Sequence, residues 1–383
     1  MISEQEQFIK TNKKVAGIYT PYDLVPGGGE RYLLTTAEYL INSGYEVFLI
    51  LEEIYSNLRL KQMSREFNLS LDNIRIITLK GAEIINKFDI FISMGNSIVP
   101  SVAPLGKYNI FICQFPFPQD KVWIEENSKN FRAYQQVIVY SDFVLKHYKE
   151  LLLKYNLSDK SLEVIYPPCE LNGKVEPTDK STDKIIILTV GRFFTEGHCK
   201  RQDFLIEAFI EMVSFYGDMN NVEFHIAGSM HPTKDSRDYF TRLKEMAKGF
   251  NIYLHGNIDA NKLNALYKKS HIYWHATGVT INPAKYPEML EHFGITIVEA
   301  MASGCIPIVV NKGGPPETVR NGINGFCFDS KHELIDHTLS VIKKIQNLNQ
   351  KGEWINFSTN AINRANEFTK EKFYERIGCI LKK

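Results

Sequence analysis

Two glutamates bracket the string Glu291-His292-Phe293-Gly294-Ile295-Thr296-Ile297-Val298-Glu299. A carboxylate accepts hydrogen bonds from hydroxyl groups, and a glycine between two of them permits a turn that a residue with a Cβ resists. The apolar spacing after Gly294 predicts a buried helix over 295–302, stopped at Gly304 with Pro307 beyond it. The start of such a helix presents N–H groups without intrahelical partners and a positive dipole end of about half a charge, where phosphate docks readily. An acid on either side of an anion suits a nucleotide sugar, with Glu299 accepting from ribose hydroxyls and Glu291 from sugar hydroxyls. The E-x7-E spacing alone is weak, because two helical glutamates recur by chance in most proteins.

A second group is cationic. In Gly191-Arg192-Phe193-Phe194-Thr195-Glu196-Gly197-His198-Cys199-Lys200-Arg201-Gln202, Arg192 and Lys200 share one loop after an expected strand. Two cations around a leaving diphosphate stabilise charge that grows in the transition state, more so where the dielectric is lowered. An arbitrary loop with the same two residues is simply solvated. Gly27-Gly28-Gly29-Glu30-Arg31 lets the backbone approach a phosphate or an acceptor closely, and it is also what a plain glycine-rich turn looks like. A dinucleotide-binding loop needs G-x-G-x-x-G, and Tyr32 stands where the third glycine belongs, although Glu52 could pose as the ribose acid. His225 and His271 read as core histidines. No D-x-D and no His/Cys cluster of zinc spacing occurs, so no metal and no cofactor is expected.

The string from Glu291 to Gly304 resembles, nearly letter for letter, the E-x-F-G-I-x-x-V-E-A-M-x-x-G segment of retaining glycosyltransferases of family 4, which have the GT-B fold. The resemblance implies a metal-independent transfer of a hexose-type sugar from a UDP- or GDP-sugar to a glycan or lipid-linked acceptor. Arg192 and Lys200 match the family's G-R-x-x-x-K segment, whose cations hold the donor diphosphate, and with Glu291 they are the catalytic candidates. The implied donor-binding set is Gly28, Gly29, Gly191, Gly228, Ser229, Ile258, Phe293, Gly294, Ile295, Thr296 and Glu299. Glu30, Arg31, Gln114 and His275 fall on the acceptor or sugar side. Asn311-Lys312-Gly313-Gly314-Pro315-Pro316-Glu317 resembles the family's G-G-x-x-E segment, and Glu317 reads equally as a helix-start acid. Gln114 replaces a histidine common in the family and cannot titrate. The retaining mechanism inferred for the family needs no base there, since the leaving phosphate oxygen can take the acceptor's proton. The Gly197-His198 insert and the long loop over 279–290 resemble the subset that assembles lipid-linked or envelope glycans. That loop reads either as a cover for the donor sugar or as decoration. A sugar-nucleotide epimerase of the same fold and a silent sugar-nucleotide-binding subunit are the alternatives.

A length of 383 residues suits two or three domains, and 44 % hydrophobic content suits sizeable cores. A net charge of +1 gives no basic surplus for a nucleic acid partner. Six scattered cysteines without C-x-x-C, a polar acidic start and no apolar run of about 20 residues point to a cytoplasmic chain. The amphipathic stretch 144–155 reads as a core-facing helix with a solvated lysine face, or as a peripheral contact with the inner membrane face.

The elements that must position these residues alternate. Continuous apolar strands at 15–19, 45–51, 74–77, 90–92, 110–112 and 137–140, with helical patterns between, predict a doubly wound parallel sheet. A glycine-rich loop precedes a helix expected from about 32 to 41. The polar stretch 171–183 reads as a linker. A second series follows, with strands at 185–188, 222–226, 252–254, 272–274 and 306–310 and helices near 204–215, 236–248, 260–268 and 295–302, and the chain is helical from 331 onward. The fold class is therefore α/β, two Rossmann-like parallel-sheet domains facing a cleft. The resemblance implies that residues 1–166 plus a returning helix at about 368–383 form the acceptor-side domain, and residues 167–367 the nucleotide-sugar domain. Each motif falls after a strand, where ligands bind in open parallel sheets.

Overall fold

The computed structural model describes residues 13–54, 57–157, 159–169, 175–217 and 219–381. The polar N-terminal start and residues 171–174 of the expected linker lie outside the described residues. Two units divide the chain. Met1–Tyr140, Val144–Pro168 and Phe373–Lys383 form one; Ser141–Phe143 and Cys169–Lys372 form the other.

The first half runs β1 (Val15–Tyr19), α1 (Gly28–Asn42), β2 (Glu46–Leu51), α2 (Asn57–Glu66), β3 (Arg75–Thr78), α3 (Leu79–Ile85), β4 (Phe88–Gly95), β5 (Gly106–Cys113), α4 (Lys121–Arg132), β6 (Gln136–Val139), α5 (Asp142–Lys154) and β7 (Ser161–Val164). Its strands pair in parallel in the order β3-β2-β1-β4-β5-β6-β7. β2 is buried from Val47 to Leu51 and β4 almost throughout, as the unbroken apolar runs demand of strands covered on both faces. In α5, Val144, Tyr148 and Leu152 are buried along one stripe, so this helix serves the core.

The glycine-rich stretch is not a loop ahead of a helix that starts near Tyr32. α1 begins at Gly28, with extended Gly27 as its N-cap and Glu30 in its first turn. First-turn N–H groups have no intrahelical acceptor, and an acid there meets the positive dipole end, so the turn tolerates its glycines. The half-polar strand β7, Ser161–Val164, was not expected, because an edge strand exposed at alternate positions lacks the continuous apolar run of a central one.

The second half runs β8 (Ile185–Val190), α6 (Gln202–Phe215), β9 (Val222–Gly228), α7 (Lys234–Ala247), β10 (Ile252–Gly256), α8 (Ala260–Lys269), β11 (Ile272–His275), α9 (Ile295–Ala302), β12 (Ile306–Val310), α10 (Pro315–Thr318), β13 (Phe326–Phe328), α11 (Lys331–Gln346), α12 (Lys351–Ala365) and α13 (Lys370–Leu381). Its strands also pair in parallel, in the order β10-β9-β8-β11-β12-β13. In the core Phe209 stacks on Phe224, Trp274 packs tilted against Phe224, and the Trp274 indole N–H donates to buried Thr338 Oγ1 at 3.0 Å. The described end of the expected linker is not all solvent-facing. Lys180 follows a short 3₁₀ turn at Pro177–Asp179, is buried, and donates to the Ser270 carbonyl.

The C-terminal helix α13 contributes Phe373, Ile377, Ile380 and Leu381 to the core of the first unit. The Tyr32 ring stacks on Tyr140 at 4.4 Å and meets Phe373 edge-on at 4.8 Å. Each fully buried side chain of this size contributes about 1.5–3 kcal/mol.

Candidate active site

In the second sheet the strand order turns back between β8 and β11. Loops leaving the carboxyl ends of such strands diverge and open a crevice, the usual ligand position in open parallel sheets. β8 ends at Val190, one residue before Gly191 and Arg192, and β11 ends at His275. Buried Tyr273 binds the two sides. Its hydroxyl lies 3.2 Å from the Val190 carbonyl and 2.8 Å from Thr296 Oγ1 in the first turn of α9.

Lys200 and His275 converge on one carboxylate oxygen of Glu291. Lys200 Nζ donates to Glu291 Oε2 at 2.5 Å, and His275 Nε2 lies 3.1 Å from the same atom. The Lys200 and Glu291 side chains are 18 % and 16 % exposed, so solvent screens the pair only weakly. Burial by itself would raise the Glu291 carboxyl. The Lys200 ammonium, with His275 and His198 beside it, more than reverses this and holds it well below the usual carboxylate range. Burial lowers His275, with Glu291 opposing, and lowers His198 likewise. The His198 ring meets His292 edge-on at 4.4 Å, and burial holds His292 well below its ordinary value. A carboxylate, an ammonium and a group of neutral imidazoles thus share one partly buried spot.

Glycines let the backbones close around it. Gly294 has φ of +91° and caps α9, and a Cβ there would stand 2.5 Å from Ile297 Cδ1. A Cβ on Gly191 would stand 2.5 Å from Lys200 Cγ, and one on Gly228 would stand 2.0 Å from the Gly191 carbonyl. The pair after β12 packs on the chain itself. A Cβ on Gly313 would meet the Glu291 carbonyl at 2.4 Å and one on Gly314 the His292 carbonyl at 2.3 Å, while the Gly314 N–H donates to the Glu291 carbonyl at 2.8 Å. Glu317 accepts from the N–H groups of Asp142 and Phe143 at 2.9 and 2.6 Å, so it caps backbone amides.

The other candidates of this unit sit around the same strand ends. Arg192 is exposed, with its guanidinium 5.1 Å from the Phe194 ring centroid. Glu299 accepts from the Tyr267 hydroxyl at 3.1 Å. Ile295 and Thr296 open the first turn of α9, whose N–H groups have no intrahelical acceptor, and Phe293 is buried just before it. Ser229 is exposed and its carbonyl accepts from Phe193 N–H at 2.9 Å; Ile258 is half-buried after β10. His225 Nδ1 lies 3.0 Å from His255 Nε2, and its Nε2 lies 3.2 Å from Glu223, so this histidine is a partnered group of the sheet.

The candidates of the first unit lie at the start of α1 and after the end of β5. Gly28 and Gly29 occupy the first turn of α1, and a Cβ on Gly29 would stand 2.7 Å from the Gln114 side-chain amide. That glycine makes room for Gln114, which follows β5. Glu30 also lies in this turn, and the Arg31 guanidinium packs 5.2 Å from the Phe67 ring centroid.

Three residues that shape the site carry no sequence signal. Buried Gln202 donates through its amide to the carbonyls of Gly191 and Arg192 at 3.3 and 3.2 Å. Tyr273 and Tyr267 reach it only because of where their strand and helix lie. A tyrosine in an apolar run reads as core, and nothing local reveals its hydroxyl's partner. Among the described residues no group of three or more His, Cys, Asp or Glu is placed to hold a metal ion, and no helix is long and apolar enough to cross a membrane.

The fold recurs in solved proteins. A glycosyltransferase from Rickettsia africae ESF-5 matches with a TM-score of 0.71 over 97 % of this chain and 98 % of that one, at 20 % identity. The Anabaena protein Alr3699/HepE, solved in complex with UDP and glucose, matches with a TM-score of 0.69 over 96 % and 99 %, at 17 % identity. At the sequence level, a GDP-Man:Man(3)GlcNAc(2)-PP-Dol alpha-1,2-mannosyltransferase from Dictyostelium discoideum is 26 % identical over 190 residues, covering 47 % of this chain and 35 % of that protein. The chain spans 11 % to 35 % of the length of the first curated relatives it matches. The two parallel α/β units are those of the GT-B fold, and residues 174–355, just under half of the 383, match the family model described as Glycosyl transferases group 1.

Proposed function

We propose that the chain is a retaining, metal-independent glycosyltransferase that moves a hexose-type sugar from a UDP- or GDP-sugar to a glycan or lipid-linked acceptor. The carrying observation is the convergence of Lys200 and His275 on Glu291 beside the Gly294-started helix. A cation, a carboxylate and first-turn amides at one strand-end crevice match the charge pattern of a nucleotide sugar. Arg192, Lys200 and the amides of Ile295 and Thr296 take the diphosphate. Glu299 takes the ribose hydroxyls. Glu291 and the amides of Phe293 and Gly294 take the sugar. The acceptor falls to the first unit, where Glu30, Arg31 and Gln114 stand at the start of α1 and the end of β5.

In the transfer, the bond from the anomeric carbon to the diphosphate oxygen breaks and the bond to the acceptor oxygen forms on the same face. The acceptor's proton passes to the leaving phosphate oxygen, which is why Gln114 need not titrate. Lys200 and Arg192 stabilise the charge that develops on that oxygen. Both bases have a precedent among similar proteins: the Dictyostelium protein's name specifies GDP-Man, and the Anabaena structure holds UDP and glucose.

A thermal-shift panel of UDP-, GDP- and ADP-sugars tests the reading. A bound donor at a hundredfold excess over its dissociation constant stabilises the protein by about 2.7 kcal/mol. A panel that leaves the melting temperature unmoved would defeat the proposal. Product analysis with an active donor then reads the anomeric configuration, and chelator treatment reads the metal requirement.

A further inference from the structure

We propose that His275 is a positioning residue for the donor sugar: its Nε2–H, together with Lys200, occupies Oε2 of Glu291 and leaves Oε1 as the oxygen that accepts a sugar hydroxyl. The inference rests on the reading of Glu291 as a sugar-binding carboxylate.

The tautomer follows from geometry. His275 Nε2 faces a carboxylate oxygen at 3.1 Å, and a carboxylate only accepts, so the proton sits on Nε2. Thr277 Oγ1 lies 3.1 Å from the same nitrogen. Nδ1 then carries a lone pair, is buried, and makes no hydrogen bond among the described residues. A buried acceptor without a partner is disfavoured, yet the ring is kept in this orientation, with its one N–H directed at Glu291. Glu291 Oε2 thereby has two donors, while Oε1 accepts from no described residue.

Rigidity separates the two donors. Lys200 ends a flexible four-carbon stem and presents a compact charge that can turn to another anion. It is also the group proposed to take the donor diphosphate. When it does so, the donor to Glu291 Oε2 that remains among the described residues is His275, which is 3 % exposed at the end of a central strand. The Glu291 backbone is held from the other side by the Gly314 N–H. Without the imidazole, the terminal torsion of the glutamate, which is broad, has no rigid anchor.

The test compares wild type with His275→Leu, which loses the N–H, and His275→Gln, which keeps one. Calorimetric titrations use UDP and UDP-glucose, with GDP and GDP-mannose in parallel. His275→Leu is expected to weaken the sugar nucleotide at least tenfold, to leave the free diphosphate within twofold, and to lower kcat more than it raises KM for acceptor. His275→Gln is expected to restore most of the loss. A His275→Leu variant that binds both ligands as wild type does, or that weakens both equally, overturns the inference. If wild type itself gains nothing from either sugar, the proposed function fails instead. The ring is then read by ¹⁵N NMR: a neutral Nε2–H tautomer whose shifts change in Glu291→Gln supports the contact, and an Nδ1–H tautomer overturns it.

Discussion

Lys200 Nζ lies 2.5 Å from Glu291 Oε2 across 91 residues of chain. Neither group is well placed alone in a partly buried crevice. Together they hold the carboxylate ionised and the ammonium in reach of an incoming anion. A diphosphate that binds here does not meet a bare cation. It would compete with Glu291 for Lys200, while His275 Nε2 stays 3.1 Å from Oε2 of the carboxylate.

Lys200→Ala removes the charge donor from the proposed leaving group. Turnover is expected to fall by two or more orders of magnitude, as loss of one preorganised donor does at about 2.7–4 kcal/mol. The same change leaves Glu291 partly buried without its main counter-charge, so its carboxyl shifts upward. Steady-state kinetics with a circular dichroism control measure it, and near-normal turnover would take Lys200 out of the mechanism.

Acid stability turns on buried imidazoles. His271 is buried, accepts the Ile186 N–H at Nδ1 at 3.2 Å, faces Lys180 and the Trp354 ring, and is pushed down to about 3 by burial and then by Lys180. Its folded value lies below the unfolded one of about 6.5, so the unfolded chain binds more protons between those limits. The contribution is present above pH about 6.5 and is lost as pH falls toward 3, by up to about 1.4 kcal/mol per pH unit. Glu291 adds a later loss, as pH falls through its own depressed value. Urea midpoints at pH 7.5, 6 and 5 should fall steadily, and His271→Leu should flatten the slope while lowering stability at pH 7.5. An unchanged slope in that variant would rule out His271 as a source.

Gly294→Ala puts a Cβ at φ of +91° and 2.5 Å from Ile297 Cδ1. A left-handed non-glycine residue costs about 1–2 kcal/mol before any clash is counted. The variant should melt several degrees lower and bind sugar nucleotide more weakly than its stability loss explains. A melting temperature equal to wild type would mean that the turn relaxes freely.

Tyr273→Phe deletes a hydroxyl between the Val190 carbonyl and Thr296 Oγ1. Loss of one buried partner costs about 1–3 kcal/mol. The expected result is a comparable drop in unfolding free energy and a reduced kcat, since the two sides of the crevice lose their tie. Full activity with reduced stability would limit Tyr273 to the core.

The strand and helix order was legible because it is written locally. The expected 295–302 helix coincides with α9, where Gly304 signalled the stop, and the expected helical start at 331 is the first residue of α11. The glycosyltransferase resemblance was legible for the same reason: its motif is one uninterrupted string. The start of α1 was misplaced, because helix propensity penalises the glycines that the first turn tolerates. The burial of Lys180 was not legible, since a lysine reads as solvated until a carbonyl is found to accept from it.

What the sequence by itself determined is the list of chemical groups and the layers that carry them. What tertiary structure decided is which groups meet. His275 and Glu291 stand 16 residues apart, and Lys200 and Glu291 stand 91 apart. Nothing in their neighbours' periodicity encodes those distances. They follow from the parallel register that sets β8 beside β11 and from glycines that let separate backbone segments touch. A hydrogen bond needs its partners within about 3.2 Å and well aligned, so only the folded chain brings Lys200 and His275 to one oxygen of Glu291.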